Sequence, residues 1–488
     1  MPAVPTVAIV TLGCARNEVD SDQLAGSLVD AGYRHVDDPR GADVVLVNTC
    51  TFITPASQES VDTVLAACDL KEGGTRAVLV VGCMAERYRD ELAAELPEAD
   101  AVVGFGAYPR LPQIVADVLA GRPVARFAGA APNATARNAT RLSAARLPLL
   151  PVDGSRRGYQ AQDALDRIPP SGPQASFRSS GVDRPWAYLK IASGCDRACT
   201  FCAIPSWRGR FRSRPLAEVV AEAEWLVDRG ARELVLVSEN TTSWGKDLPG
   251  GRSRQVALLV RLSAIDRLER IRLVYLQPAE LQRPLVEAIA QLPKVASYFD
   301  LSLQHVSAGV LARMARSGSS GRWRALVAEV RDLDPDAVFR SSFIVGFPGE
   351  TDADHRQLMT FLEDQRLDWV GLFAFSPQDG TPAAAFTEQV PGHLVHTRLN
   401  ELVDLQERVA EDAARRFVGR RLRATVEGVF DGVCVARSYR EAPDTDGDIR
   451  LVATDGVPVT VPTGRTIGVD VVAADGVDLV AIPHLSDA

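Results

Sequence analysis

The chain has 488 residues, a formal net charge of −9, and eight cysteines in a composition that is 46% hydrophobic. That length exceeds one ordinary core and predicts two or three domains that need no disulfide staples. The acidic balance excludes a chain whose whole surface attracts nucleic acid. No apolar run approaches the roughly eighteen residues of a membrane span, and the opening MPAVPTVAIVTLGC lacks the pattern of a secretory signal. These features predict a cytoplasmic protein with no membrane segment, in which clustered cysteines hold metal or do redox chemistry.

Residues 1–126 alternate short apolar runs (TVAIVTLGC, ADVVLVNTC, AVLVVGC) with amphipathic stretches (VDSDQLAGSLVDAG, SQESVDTVLAACDLK). This order predicts an α/β domain with a parallel sheet covered by helices. Each β-run ends at a cysteine: Cys14, Cys50 and Cys83. The carboxyl ends of open parallel sheets form the ligand-binding edge, so these three can converge although more than thirty residues separate them. Cys68, spaced with Val61, Val64 and Leu65 at i, i+3, i+4 and i+7, is expected on the packed face of a helix.

Residues 127–183 change texture to Ala, Pro, Arg, Gly and Ser, and the stretch between Arg137 and Arg178 holds seven arginines against three aspartates. They read as a linker or insertion, either solvated or a basic arm for RNA. Residues 184–417 carry six β-runs, WAYLKIA, ELVLVSEN, IRLVYLQP, YFDLSLQH, VFRSSFIVGFPG and DWVGLFAFSP, separated by helical patterns such as LAEVVAEAEWLVDRG and LQRPLVEAIAQL. A partial or complete (β/α) barrel is predicted, with its chemistry at the strands' carboxyl ends. Residues 418–488 hold LRATVEGVF, IRLVATDG, VPVTVP and GVDVVAADGVDLVAI, which predict a small all-β barrel with Cys434 packed in one of its strands.

GCDRACTFC places Cys195, Cys199 and Cys202 just after the first strand of the central domain. A structural zinc site wants four N or S donors, and no fourth Cys or His lies close by in sequence. Three thiolates would hold a 4Fe-4S cluster with one iron left open. On the residues alone both metals stand.

The spacing Cys195-x3-Cys199-x2-Cys202, with Phe201 before the last cysteine, resembles the radical S-adenosylmethionine signature. TLGCARNEVDS, VVLVNTC and VVGCMAERY resemble the N-terminal domain of methylthiotransferases. The resemblance to radical S-adenosylmethionine methylthiotransferases covers nearly the whole chain except the linker. It implies two 4Fe-4S clusters, one on Cys195, Cys199 and Cys202 with S-adenosylmethionine chelating the open iron, and one on Cys14, Cys50 and Cys83 that takes part in sulfur delivery. It also implies that reduction cleaves S-adenosylmethionine to a 5′-deoxyadenosyl radical. Phe201, Ser238, Glu239, Asn240, Gln304, Ser342 and Gly346 are the candidate cofactor contacts, and His305 reads equally as a structural residue. The radical-enzyme pattern Gly-x-Ile-x-Gly-x-x-Glu is met only in part, by Ser342, Ile344 and Gly346, because Gly349 stands at the Glu position and Glu350 comes one later. Arg208, Arg210, Arg212 and Arg214 read as tuning the preceding cluster, as recognising an acidic substrate group, or as a solvated turn. No further catalytic side chain stands out.

Members of this family modify either an aspartate β-carbon in small-subunit ribosomal protein number twelve or, as the alternative, an adenosine in transfer RNA. TLGCARNEVDSDQL, ESVDTVL, LVSENTTSWGKDL and YLQPAEL resemble the ribosomal-protein branch. The implied partners are that protein, free or on the ribosome, and an electron donor such as flavodoxin or ferredoxin, with nucleic acid met only through the ribosome. The tail resembles the TRAM barrel. From Gly419 onward it has seven arginines and no lysine against eleven acidic residues. RNA affinity rests on Lys and Arg neutralising phosphate, so an acidic barrel suits docking onto a basic protein, or serves solubility alone.

Overall fold

The computed structural model describes residues 4–129, 184–250, 254–454 and 459–484. They form two compact units. The first joins the N-terminal residues to segments 193–214 and 376–385; the second contains the described parts of 182–192, 215–375 and 386–488.

The first unit is built on a six-stranded sheet in the order β2-β1-β3-β4-β5-β6. Its strands are β1 (Thr6–Thr11), β2 (Arg34–His35), β3 (Val44–Thr49), β4 (Ala77–Gly82), β5 (Ala101–Val103) and β6 (Phe127–Ala128). Every pairing is parallel, as predicted. A sheet covered on both sides needs apolar residues at every position, which is why β3 reads VVLVNT and β4 AVLVVG. Alternate residues feed separate cores. Ala8, Val45, Val47, Val78 and Val80 pack with Val64, Ala67 and Cys68 of α2 (Thr54–Asp69) and with Met84, Ala85 and Leu92 of α3 (Cys83–Glu95). Val7, Val44, Leu46 and Leu79 pack with Leu24 and Leu28 of α1 (Ala15–Asp30) and with Leu111, Ile114 and Val115 of α4 (Leu111–Leu119). Each fully buried Val or Leu contributes about 1.5–3 kcal/mol.

Two details depart from the sequence expectation. The packed face of α2 runs through Ser57, Ser60, Val64, Ala67 and Cys68, whereas Leu65 is 39% exposed. Phe127 and Ala128 form the sixth strand, two residues that composition alone assigns to the linker. Linker residues 130–183, with Arg137 to Arg178, lie outside the described residues.

In the second unit, β7 (Trp186–Lys190), β10 (Glu233–Val237) and β11 (Arg270–Leu273) form one parallel sheet. A second comprises β12 (Tyr298–Gln304), β13 (Val338–Val345) and β14 (Trp369–Ala374). The two-residue strands β8 (Ala192–Ser193) and β9 (Arg212–Ser213) flank the cysteine loop in sequence. Parallel bridges Ile271–Val295 and Leu276–Leu301 carry the pairing from β11 across to β12, so all six predicted strands follow in chain order. Among the described residues no pairing returns from β14 to β7, and the barrel is a partial one.

The tail is a closed barrel in the order β15-β16-β17-β19-β18, from β15 (Arg421–Phe430), β16 (Val433–Arg437), β17 (Ile449–Leu451), β18 (Thr466–Asp475) and β19 (Asp478–His484). Cys434 is buried in β16 as expected. VPVTVP is not a strand over its described residues 459–462, because Pro462 cannot donate to a ladder. This barrel is joined to the strands of the partial barrel, within the same unit, by buried charge. Glu233 of β10 accepts from Arg270 (3.1 Å), Arg272 (2.8 Å) and Arg437 (3.1 Å), while Arg272 also donates to the carbonyls of Ser438, Tyr439 and Glu441. Burial alone would raise the Glu233 carboxyl, but Arg272, Arg437 and Arg270 outweigh it and hold it at about 2.

Candidate cofactor site

Sheet topology brings the first three cysteines together. Cys14 caps the start of α1, Cys50 follows β3 directly, and Cys83 is the first residue of α3 after β4. Strands β1, β3 and β4 are neighbours, so their carboxyl ends lie side by side. Gly13 has φ +98°, and an added Cβ would come within 2.7 Å of Cys50 Cβ and 2.8 Å of Cys50 Sγ, so the Cys14 loop reaches Cys50 only with glycine there.

Asn17 ties the three loops to one another. Its Nδ2 donates to Leu12 O at 2.8 Å and Thr49 O at 3.1 Å, and its Oδ1 accepts from Arg208 Nη2 at 3.1 Å and from the Cys83 thiol at 3.5 Å. Asn48 donates in turn to Asn17 O and Ser21 Oγ, both at 2.8 Å.

The thiols feel one another. Burial pushes Cys50 up to about 12, reinforced by Cys83 and Cys14. Burial also raises Cys83, with Arg208 opposing and Cys14 adding. For Cys14 the burial effect is overcome by Arg16, by the N–H groups of Asn17 and Arg16, and by Arg208, so its pKa lies below the ordinary thiol value.

The second triplet belongs to the same unit, in segment 193–214. Gly194 has φ +80°, where a Cβ would run into the Arg210 carbonyl. The loop closes through Cys195 N–H to Gly209 O (3.0 Å), Cys202 N–H to Cys199 O (3.2 Å) and Phe211 N–H to Asp196 Oδ1 (3.1 Å). The short helix Ile204–Arg208 buries Trp207 against Phe105 and Ala203, with Cys83 and Tyr108 at the margin. Cys202 is pushed up to about 12 by burial and by Cys199 and Cys195, against the Ile204 N–H and Arg16. The Arg16 charge therefore acts on both triplets, favouring the thiolates of Cys14 and Cys202 alike.

Three soft donors per site, with N–H groups aimed at sulfur (Asn17 and Arg16 on Cys14, Phe52 on Cys50, Ile204 on Cys202), match what iron-sulfur thiolates use. Among the described residues no three His, Cys, Asp or Glu side chains are arranged about a single metal ion. A cubane asks for something different, because each thiolate binds its own iron.

The remaining candidates lie at or just past carboxyl ends of strands in the second unit, apart from Ser342, which lies within β13, and Phe201, which sits in the turn between Cys199 and Cys202. Ser238 and Asn240 follow β10 directly. Ser238 Oγ accepts from Asn240 N–H, and Asn240 donates to Ser243 and Glu280 while accepting from Thr242. Glu239 lies between them. Gln304 ends β12 with φ +66° beside a register shift, a backbone state that a non-glycine residue adopts at a cost. Ser342 lies on the half-buried face of β13 with Arg340 and Ile344. Gly346 has φ +76°, faces Val395, and donates its N–H to Glu350 at 2.7 Å. Glu350, one position late for the family pattern, also accepts from Phe347 N–H and Arg398, so it caps the turn after β13. His305 is fully buried, its Nδ1 accepts from Ser307 N–H, and burial drops its pKa to about 4, so the ring is neutral.

Sequence patterns missed Asn17, Asp20 and Ser60 as parts of the site. The available signal was polar residues at i, i+3 and i+4 on α1 (Asn17, Asp20, Ser21) where a packed helix face calls for apolar ones, and all three are buried.

The partial barrel led by a three-cysteine loop corresponds to the model of the radical SAM superfamily, which matches residues 189–362. Residues 6–104 match "Uncharacterized protein family UPF0004" and residues 418–483 the TRAM domain. The ribosomal protein uS12 methylthiotransferase RimO of Kineococcus radiotolerans is 46% identical, covering 98% of this chain and 97% of its own length. That of Saccharopolyspora erythraea is 46% identical over 98% and 95%, and that of Acidothermus cellulolyticus 46% over 99% and 97%. The chain belongs to this family, the ribosomal protein uS12 methylthiotransferases RimO.

Proposed function

We propose that this chain adds a methylthio group to the β-carbon of an aspartate in ribosomal protein uS12, using S-adenosylmethionine and two 4Fe-4S clusters. Family membership over nearly the full length supports it. So does one observation in this chain: both cysteine triplets belong to a single compact unit. Cys195, Cys199 and Cys202 are assigned to one cluster, and Cys14, Cys50 and Cys83 to the other. When bound, these groups supply reductive cleavage of S-adenosylmethionine to a 5′-deoxyadenosyl radical and sulfur for the transfer.

The chain's own residues hold and shield. Asn17 and Ser60 fix the thiolate-bearing loops, and Phe105, Tyr108 and Trp207 wall off water beside Cys83. Arg16 and Arg208 set a positive field over the first triplet. Phe201, Glu239, Gln304 and Ser342 are the proposed S-adenosylmethionine contacts, Gln304 being best supported by its strained backbone. Ser238, Asn240 and Gly346 are proposed to shape the loops around it.

The TRAM barrel favours the protein substrate over transfer RNA. Six of its seven arginines pair with carboxylates: Arg420 with Asp336, Arg421 with Asp470, Arg423 with Glu269, Arg437 with Glu233, Arg440 with Glu441, and Arg450 with Asp475. Little of its positive charge is left for phosphate, whereas its acidic excess complements a basic ribosomal protein. We infer a cytoplasmic enzyme, in keeping with a substrate of the small ribosomal subunit, served by an electron donor of the flavodoxin or ferredoxin kind. No helix among the described residues is long and apolar enough to cross a membrane.

Mass spectrometry of uS12 and of transfer RNA, from cells with and without the gene, tests the substrate. Loss of the methylthio mass from uS12, with the adenosines unchanged, is expected, and the reverse pattern overturns the assignment. Failure of reconstituted protein to form 5′-deoxyadenosine from S-adenosylmethionine and a reductant overturns the reaction class.

A further inference from the structure

Arg208 follows Cys202 by six residues, and its neighbours in sequence suggest that it serves that cysteine's cluster. The side chain goes elsewhere. Nη1 donates to Asp20 Oδ2 at 2.9 Å, Nη2 donates to Asn17 Oδ1 at 3.1 Å and to Cys83 Sγ at 3.3 Å, and the guanidinium lies over the Phe105 ring at 4.4 Å. The Arg208 and Asp20 side chains are 4% and 6% exposed. A guanidinium this deeply buried is costly unless its donors are met, and the planar fork meets an anion from one nitrogen and an amide oxygen and a sulfur from the other, a fixed geometry that the single nitrogen of an ammonium lacks.

We propose that Arg208 is a positioning residue for the N-terminal cluster: anchored by Asp20 and Asn17, it holds an N–H and a positive charge against the Cys83 sulfur and so raises that cluster's reduction potential. This rests on the reading that Cys14, Cys50 and Cys83 hold a 4Fe-4S cluster. Reduction adds negative charge, and a hydrogen bond to a ligating sulfur plus a fixed cation in poorly solvated surroundings favours the reduced form. The arrangement also couples the two sites. Arg208 is the last residue of the short helix after Cys202, so segment 193–214 must be docked on the α/β sheet before the first triplet has its full complement of charge.

The test uses the full chain carrying Cys195→Ala, Cys199→Ala and Cys202→Ala, so that only the N-terminal triplet can bind a cluster. After anaerobic reconstitution, iron content is measured and the midpoint potential is followed by electron paramagnetic resonance during titration with dithionite. The background is expected to load about four irons per chain. Adding Arg208→Gln is expected to lower the reduced-to-oxidised ratio at fixed potential about tenfold, which is about 59 mV for one electron. Arg208→Lys, which keeps the charge and loses the fork, should fall less. Because Arg208→Gln takes a cation away from the buried Asp20 carboxylate, the double change Asp20→Asn with Arg208→Gln is made beside it and should show the same downward shift. A midpoint equal to the background in an iron-loaded, folded variant overturns the role of Arg208 alone, since a purely structural residue would lower thermal stability without moving the potential. A folded background that takes up no iron overturns the cluster reading and this inference with it.

Discussion

Ser60 Oγ accepts the N–H of Cys50 at 2.9 Å and donates to the carbonyl of the same residue at 2.8 Å, so one α2 side chain closes both backbone groups of a cysteine-bearing loop. Ser60 is fully buried, and no solvent can replace it. Ser60→Ala leaves a buried N–H and carbonyl unpartnered and should cost about 1–3 kcal/mol, read from the urea midpoint, with reduced iron uptake at the N-terminal triplet. A variant with unchanged midpoint and unchanged iron would remove Ser60 from the site.

The two triplets should separate genetically. Cys199→Ala is expected to abolish cleavage of S-adenosylmethionine. Cys50→Ala should still yield 5′-deoxyadenosine but transfer no methylthio group to uS12, measured by chromatography and mass spectrometry on the same reaction. Equal loss of both products in a folded, cluster-loaded Cys50→Ala enzyme contradicts this division.

Glu233 is 1% exposed and faces three guanidiniums. Glu233→Gln leaves Arg270, Arg272 and Arg437 without their shared anion and should destabilise the chain by about 3–5 kcal/mol in chemical denaturation. The wild-type carboxyl is held at about 2, below its ordinary 4.5, so its contribution is complete above about pH 4.5 and disappears as pH falls through 2. A loss under about 1 kcal/mol would show that this cluster does not seat the TRAM barrel.

Asp446 gives the opposite sign. Burial pushes its carboxyl up to about 6 against Arg340, the Tyr298 hydroxyl (2.7 Å), the Ala442 N–H and Arg272. The folded chain then holds this proton more tightly than the unfolded one, so the contribution is largest below about pH 4 and is lost as pH rises through 6. Asp446→Asn should flatten the decline between pH 4 and 6 and be more stable than wild type at pH 7, by up to about 3 kcal/mol. Thermal melts across that range are the measurement, and parallel curves for the two proteins would refute the assignment.

Strands were the most legible part of the fold. Runs such as VVLVNT and AVLVVG are buried on both faces, and both-sided burial leaves a continuous apolar signature. The cysteines of both triplets were legible too, because each sits at a strand end or in a tight local spacing. Less legible were positions whose fate depends on what packs against them. Leu65 fits the apolar period of α2 yet faces outward, and VPVTVP has strand-like valines with a proline that a ladder rejects.

By itself the order of residues determined the three-part architecture, the six cysteines in two sets, and the acidic character of the tail, since each depends on local pattern or composition. Only the tertiary structure decided that segment 193–214 packs with the N-terminal sheet and that Arg208 pairs with Asp20, 188 residues away, at the sulfur of Cys83. A long cationic side chain can satisfy its charge in many directions, and its direction is chosen by which buried anion the fold brings within reach.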